Sequence, residues 1–477
     1  MQSAVLIGRE KEVAVLQSLL TSGESELVSV IGRRRVGKTF LIQSVYEGRI
    51  AFEITGMQNA SVKEQLENFT AALSLHARPA LPLQRPASWM EAFQLLILHL
   101  ENTAGPQKRV IFFDEMPWLA SHRSGFLNAF GFFWNSWAVK KNVVVVICGS
   151  AASWMIRKVV HNKGGLYNRI TKRIHLQPFS LNETERYLRT RGLNLNRFQI
   201  TELYMAMGGI AHYLKDIQKG ESVAQNIDRI CFDPMGSLYD EFSQLYPSLF
   251  EHSENHIAVV RALASKWTGL SRPEIIRITG ISNGGGLTKT LEELQYSGFI
   301  ASYQPFGRVR REALYRLTDE YSHFYLKFIE PMRREGPGVW SAFQKKPGFQ
   351  AWSGYAFESI CLKHLPEIKK ALGISGVFST SSSFYQKGTE GMDGCQIDLL
   401  IDRDDGVINL CEIKWSSSEF IITKAYAAEL RKKIALFRHY AKTKKQVFLT
   451  FISAYGLLAN EHSRGLVDKE LRLDDLF

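Results

Sequence analysis

The stretch "LVSVIGRRRVGKTFLIQSVY", which begins at Leu27, constrains this chain more than any other. An apolar run over residues 27–31 passes directly into G-x-x-x-x-G-K-T at Gly32, Gly37, Lys38 and Thr39, and a helical pattern follows. Strand, glycine turn and helix in that order make a phosphate cradle. The glycines let backbone N–H groups curl around anionic oxygens, and the helix N-terminus adds the positive end of its dipole. Lys38 is expected to reach the β- and γ-phosphates of ATP, and the Thr39 hydroxyl to ligate Mg²⁺.

A nucleotide cradle needs partners at the carboxyl ends of neighbouring strands, where ligands bind in open α/β sheets. "RVIFFDEMPWL" predicts a buried strand over residues 110–113 that delivers Asp114 and Glu115. Asp114 can hold Mg²⁺ through water, and Glu115 is suited to polarise the attacking water, so the pair predicts hydrolysis rather than binding alone. "NVVVVICGS" predicts another buried strand, ending at Ser150 near the γ-phosphate. Further on, Arg169, Lys172 and Arg173 lie near the last core strand. Any of them could serve as an arginine-finger-type contact to a neighbouring subunit, or all could form a solvated basic edge.

At 477 residues the chain calls for about three or four domains of ~100 to 200 residues each. Hydrophobic residues make up 45% and charged residues 22%, a globular composition. Lys and Arg outnumber Asp and Glu by 59 to 47, which suits a polyanionic partner. The five cysteines lack C-x-x-C spacing, which argues against a disulfide framework or a zinc site and for a reducing cytoplasm. The longest apolar runs are strand-sized, and no signal peptide is expected, so the reading is a soluble protein with no membrane segment.

"SLNETERYLRTRG" from Ser180 opens with a Ser-x-x-Glu capping box and begins a helical region read as a lid over nucleotide. Between residues 257 and 317, two short helices and a hairpin predict a winged helix. Its candidate DNA contacts are Lys289 on the second helix, beside Glu292 and Glu293, and Arg308, Arg310 and Arg311 on the wing. Residues 331–350, rich in proline, glycine and basic side chains, read as a linker.

Seven ordered blocks, among them "IGREKEVAVLQSLL", "IGRRRVGKTFLI", "VIFFDEMPWLA", "VVVVICGSAASWM" and "MGGIAHYL", resemble the archaeal-type ATPases of the AAA+/STAND-like lineage. The resemblance implies that Gly8, Arg9 and Glu10 lie by the adenine and that Ser150 senses nucleotide. It is compatible with a homo-oligomeric ring or a monomeric switch. The family's G-G-x-P motif has Ala211 in place of proline here.

In the C-terminal part, "CQIDLLIDRDDGVINLCEIKWS" predicts a hairpin. If Arg403 faces Val407, Asp398 stands opposite Glu412, with Lys414 on the same side. A preceding amphipathic helix brings Glu358, followed by a strand in "ISGVFST", and a long helix runs over residues 425–440. The order resembles the PD-(D/E)xK nuclease superfamily, without the proline of its name. Asp398, Glu412 and the Ile413 carbonyl could hold Mg²⁺ or Mn²⁺, with Glu358 as a further anchor and Lys414 positioning water. Flanking apolar residues bury Glu412, and a cation or hydrogen bonds would offset the cost of its charge.

The expected fold is a multidomain α/β chain: a P-loop AAA+-like ATPase core (residues 1–179), helical lid (180–245), winged helix (246–330), linker (331–350) and a restriction-endonuclease-like α/β domain (351–477). The expected function is an ATPase whose nucleotide state controls a Mg²⁺-dependent nuclease on DNA, or on RNA. The alternative is an ATP-driven DNA- or protein-binding switch with a silent nuclease fold.

Overall fold

The computed structural model describes residues 6–77, 83–103, 105–160, 166, 168–308, 312–336, 338–388, 390 and 393–477. They gather into two compact units, one from Met1–Gln177 with Tyr296–Gly298, the other from Pro178–Gln295 and Phe299–Phe477.

The first unit is built on five strands, β1 (Glu26–Ile31), β2 (Ile50–Thr55), β3 (Val110–Asp114), β4 (Val144–Gly149) and β5 (Lys172–His175). They pair in the order β2-β3-β4-β1-β5, parallel throughout. Strands β1, β3 and β4 are buried along their whole length, which explains their uninterrupted apolar runs. On one side, aromatic residues from helices Trp89–Asn102 and Phe126–Ser136, including Trp89, Phe93, Phe126 and Phe130, pack with Phe113 of β3. That core fixes the β3 end that carries Asp114.

In the second unit, Ser180 caps helix Leu181–Thr190 in the reciprocal arrangement expected, with Glu183 reaching back to the cap backbone. Helix Arg197–Met207 packs beside it, and Gly209 lies where an added Cβ would sit 1.9 Å from the Phe179 carbonyl oxygen. The Glu202 carboxyl of that helix is pushed up to about 7 by burial. Because folding disfavours its ionised form, the stability held below pH 4.5 is lost as pH rises through about 7. Urea unfolding across this window should show a fall of about 1 to 3 kcal/mol that Glu202→Gln flattens.

Helices Glu254–Ala264, Arg272–Thr279 and Gly285–Tyr296 precede or interleave a small antiparallel sheet of β6 (Leu270–Ser271), β7 (Ile300–Tyr303) and β8 (Leu314–Leu317), ordered β6-β8-β7. A five-stranded sheet follows: β9 (Ser379–Gln386), β10 (Cys395–Arg403), β11 (Val407–Lys414), β12 (Gln446–Ser453) and β13 (Lys469–Arg472). Its order is β13-β12-β11-β10-β9, with β9, β10 and β11 antiparallel in turn and β11, β12 and β13 parallel. Helix Lys424–Ala441 lays Ala427, Leu430 and Phe437 onto this sheet.

Two expectations are corrected here. The strand expected in "ISGVFST" begins later, as β9 at Ser379, and Phe378 just before it is 76% exposed. Residues 331–350 are not a simple linker. Trp340 is fully buried, with its ring 4.8 Å from Phe324, 5.1 Å from Phe328 and 5.4 Å from Trp352. Asp228 accepts hydrogen bonds from the Trp340 and Ser341 backbone N–H groups at 2.8 and 3.1 Å, fixing helix Val339–Phe343 at its first turn. Glycine and proline counts overstate looseness when large aromatics sit between them. Trp340→Ala should cost about 3 to 5 kcal/mol in chemical denaturation, whereas a tryptophan in a true linker would cost almost nothing.

Candidate functional site

The β1-to-helix turn curls as its residues predict. Gly37 has φ 92°, and a Cβ on Gly32 would meet the Leu176 carbonyl oxygen at 2.5 Å, so both positions require glycine. Helix Lys38–Val45 starts immediately, leaving the first N–H groups of the helix turned toward the loop. Lys38 is buried and its Nζ donates to the carbonyls of Gly32 and Arg33 at 2.9 and 3.0 Å. The Thr39 hydroxyl donates to Asp114 Oδ2 at 2.5 Å, which brings together the two groups expected at a nucleotide-bound Mg²⁺.

Strand β4 lies between β1 and β3, so Ser150 stands between the loop and the acidic pair. Ser150 donates from its backbone N–H to Glu115 Oε2 at 3.1 Å and from its hydroxyl at 2.8 Å. Glu115 adopts φ 45°, an uncommon value for a non-glycine residue, of the kind that clusters at functional sites. Gly8 and Arg9 also have positive φ, and Arg9, buried, donates to the Val36 carbonyl of the loop at 3.5 Å. Glu10 opens helix Glu10–Thr21 and is exposed. Arg169, Lys172 and Arg173 are exposed on or just before β5.

The second constellation lies in the C-terminal sheet. The β10–β11 register pairs Leu399 with Cys411 and Asp402 with Ile408, and continuing it by one residue sets Asp398 opposite Glu412. On its other side β10 shifts register against β9 between Ile397 and Leu400, an irregularity that spans Asp398 and Leu399. β-Bulges, one form of such a shift, re-aim side chains beside active sites. Asp398 is half-buried and accepts from Gln396 Nε2 at 3.0 Å.

Glu412 is buried, but its charge is offset within the chain. It accepts from the Tyr426 hydroxyl at 2.6 Å and from Lys433 Nζ at 2.6 Å, and Lys414 Nζ lies 3.1 Å away. Burial raises its carboxyl, yet Lys433, Lys414 and the two hydrogen bonds outweigh that and hold it below the ordinary range. Of the two ways expected to offset a buried Glu412, a cation or hydrogen bonds, the chain itself supplies hydrogen bonds and lysine charges. Tyr426 and Lys433, seven residues apart on helix Lys424–Ala441, were not foreseen, although that spacing puts both on one helix face. Glu358, on helix Pro347–Lys363, is pushed up to about 8 by burial and by repulsion from Asp398 and Glu412, against the attraction of Lys414 and Arg316. The charges of Glu358, Asp398, Glu412 and Lys414 therefore act on one another. Among the described residues no three histidine, cysteine, aspartate or glutamate side chains form a ready-made metal cage.

The expected DNA contacts are dispersed. Lys289 is exposed and lies 3.9 Å from Glu293, which turns inward to meet His256 at 2.9 Å, while Glu292 faces solvent. Arg308 is exposed beside Glu312, and Arg310 and Arg311 lie outside the described residues.

Residues 6–217 match the profile of an ATPase domain found predominantly in Archaea. A Walker-type ATPase of Pyrococcus abyssi superposes with a TM-score of 0.52 at 18% identity, covering 68% of this chain and 96% of that one. The ORC2 protein of Aeropyrum pernix gives a TM-score of 0.41 at 14% identity, covering 72% and 96%. An uncharacterised protein of Methanocaldococcus jannaschii is 22% identical over 438 residues, 91% of this chain and 92% of its own length. Among the described residues no helix is long and apolar enough to cross a membrane. The parallel sheet with its glycine loop, and the profile that matches residues 6–217, make this part of the chain similar to P-loop ATPase domains of the archaeal type, which supports ATP binding and hydrolysis there.

Proposed function

We propose that nucleotide turnover at the P-loop controls a metal-dependent nuclease in the C-terminal sheet that acts on DNA. In this reading residues 246–330 form a winged helix that helps to hold the substrate, and the assembly is a homo-oligomer or a monomeric switch. Within the ATPase, Lys38 leaves its loop carbonyls for the β- and γ-phosphates, Thr39 and Asp114 hold Mg²⁺, and Glu115 orients water when Ser150 releases it. Arg169, Lys172 and Arg173, all exposed at or just before β5, are the candidates for contact with a neighbouring nucleotide.

The observation that carries the nuclease half is the placing of Asp398, Glu412 and Lys414 on adjacent strands, with a register irregularity across Asp398 and Leu399 and with Glu358 of helix Pro347–Lys363 electrostatically coupled to them. The donor set fits Mg²⁺ or Mn²⁺. Mg²⁺ is commonly held by one or two carboxylates and several waters rather than by a full protein cage, and Asp398, Glu412 and the Ile413 carbonyl supply that much. When bound, the metal would polarise a phosphodiester and lower the pKa of water. Lys414 would orient that water, and Glu358 would steady the ligand shell. One observation favours the alternative, an ATP-driven binding switch with a silent nuclease fold: Glu412 is already neutralised by Lys433 and Lys414.

The deciding assay uses plasmid, linear and single-stranded DNA, and RNA, with Mg²⁺ or Mn²⁺, with and without ATP. Cutting that stops on chelation, and that changes with ATP, is the expected result. ATP hydrolysis without cutting of any substrate would leave the switch.

A further inference from the structure

The small sheet brings a cation to the C-terminal acidic site. Arg316 on β8 pairs with Ala301 of β7, on the face that also carries Tyr303, and its guanidinium carbon lies 5.4 Å from the Tyr303 ring centre. The Arg316 Nε is closed off from water and has no hydrogen-bond partner among the described residues. Besides Tyr303, the groups that act electrostatically on it include Glu358 and Asp398, two of the three carboxylates of the site, and Tyr303 reaches Ser383 of β9, whose neighbours Ser382 and Phe384 pair with Leu400 and Ile397 on either side of Asp398. The third, Glu412, already has Lys433 and Lys414. Burial works against a guanidinium so placed, and Tyr303, Glu358 and Asp398 act in its favour, because a buried charge is tolerated only when countered.

The segment that follows β7 is also fastened down. The Phe306 backbone N–H donates to the Ser383 carbonyl of β9 at 2.8 Å, and its ring meets Phe437 at 5.7 Å and Phe384 at 6.5 Å. Tyr303 bonds to the Thr268 carbonyl and to the Ser383 side chain. Strand β9 pairs with β10 on both sides of Asp398, so these contacts seat the small sheet at the acidic site.

We propose that the β7–β8 hairpin is an internal lock on this site: Arg316 supplies to Glu358 and Asp398 the positive charge that a divalent cation would otherwise bring, and the hairpin must withdraw before metal and a nucleic-acid phosphate enter. The inference rests on the nuclease reading and adds its regulation. Activation then means exchanging one cation for another, and any event that loosens Phe306 from β9 raises metal occupancy. A role for Arg316 in gripping substrate phosphate predicts the opposite: its removal would leave metal affinity unchanged.

The test is Mn²⁺ binding to the nucleotide-free full-length chain, followed by the electron paramagnetic resonance of free Mn²⁺. Arg316→Gln, which removes the charge while keeping bulk, and Phe306→Ala, which leaves the charge but loosens the hairpin, should each bind Mn²⁺ at least about tenfold more tightly than wild type. Adding Asp398→Asn to either should cancel the gain. If Arg316→Gln does not fold, Phe306→Ala decides alone. Mn²⁺ bound equally by wild type and variants overturns the lock and leaves the nuclease reading standing. No Mn²⁺ bound by any of them at this site overturns both.

Discussion

Lys38→Ala should lower ATP turnover by about 10²- to 10³-fold, the range seen when one preorganised donor to developing transition-state charge is removed. The ammonium donates to the Gly32 and Arg33 carbonyls, so it sits within the glycine loop that would hold the phosphates. Alanine removes that donor without altering the β1 turn, whose shape depends on Gly32 and Gly37. Steady-state hydrolysis, with binding of a fluorescent ATP analogue measured alongside, separates loss of turnover from loss of affinity. Turnover within threefold of wild type would remove Lys38 from the phosphate site. The same variant should retain the Mn²⁺ affinity of the C-terminal site.

Asp398→Asn should abolish DNA cleavage, by about 10²- to 10³-fold or more, if a metal there supplies several kcal/mol of transition-state stabilisation. Aspartate at this position is a better target than Glu412. Glu412→Gln would strand Lys433 and Lys414 beside a neutral partner, and breaking a buried ion pair from one side costs about 3 to 5 kcal/mol, so lost cleavage could be lost folding. Asp398 is half-buried and accepts a hydrogen bond from the neutral Gln396 amide, so an isosteric amide should leave the fold intact. ATP turnover in this variant should match wild type. Undiminished cutting by Asp398→Asn would place the nuclease chemistry elsewhere or remove it.

Local patterns were legible where the chemistry is local. The Asp404-Asp405-Gly406 turn, with Gly406 at φ 83°, fixes the β10–β11 register, so the pairing of Asp398 with Glu412 followed from counting outward. The phosphate loop and the Ser180 capping box were equally readable, because each is satisfied within a few residues. Strand β9 was misplaced because "STSSSFYQ" is a serine-rich strand at the sheet edge, without the alternation that marks a half-buried strand. The partners of the acidic site were illegible for a different reason. Lys433 arrives from a helix and Arg316 from another sheet, and no spacing along the chain announces a meeting made by tertiary packing.

Helices Leu181–Thr190 and Arg197–Met207 touch the C-terminal part of the chain at several points. Phe198 stacks on Trp415 at 4.3 Å and on Tyr455 at 5.5 Å, and the Leu181 N–H donates to His364 Nε2 at 3.1 Å. Trp415 directly follows Lys414. A gene fragment cut after residue 350 would therefore express a sheet with one wall of its aromatic seam turned to water, and recombining it with a foreign ATPase would leave Trp415 and Tyr455 without Phe198. Such parts resist exchange between proteins, because the seam is shared property: the helices after the nucleotide domain and the acidic sheet must change together or not at all.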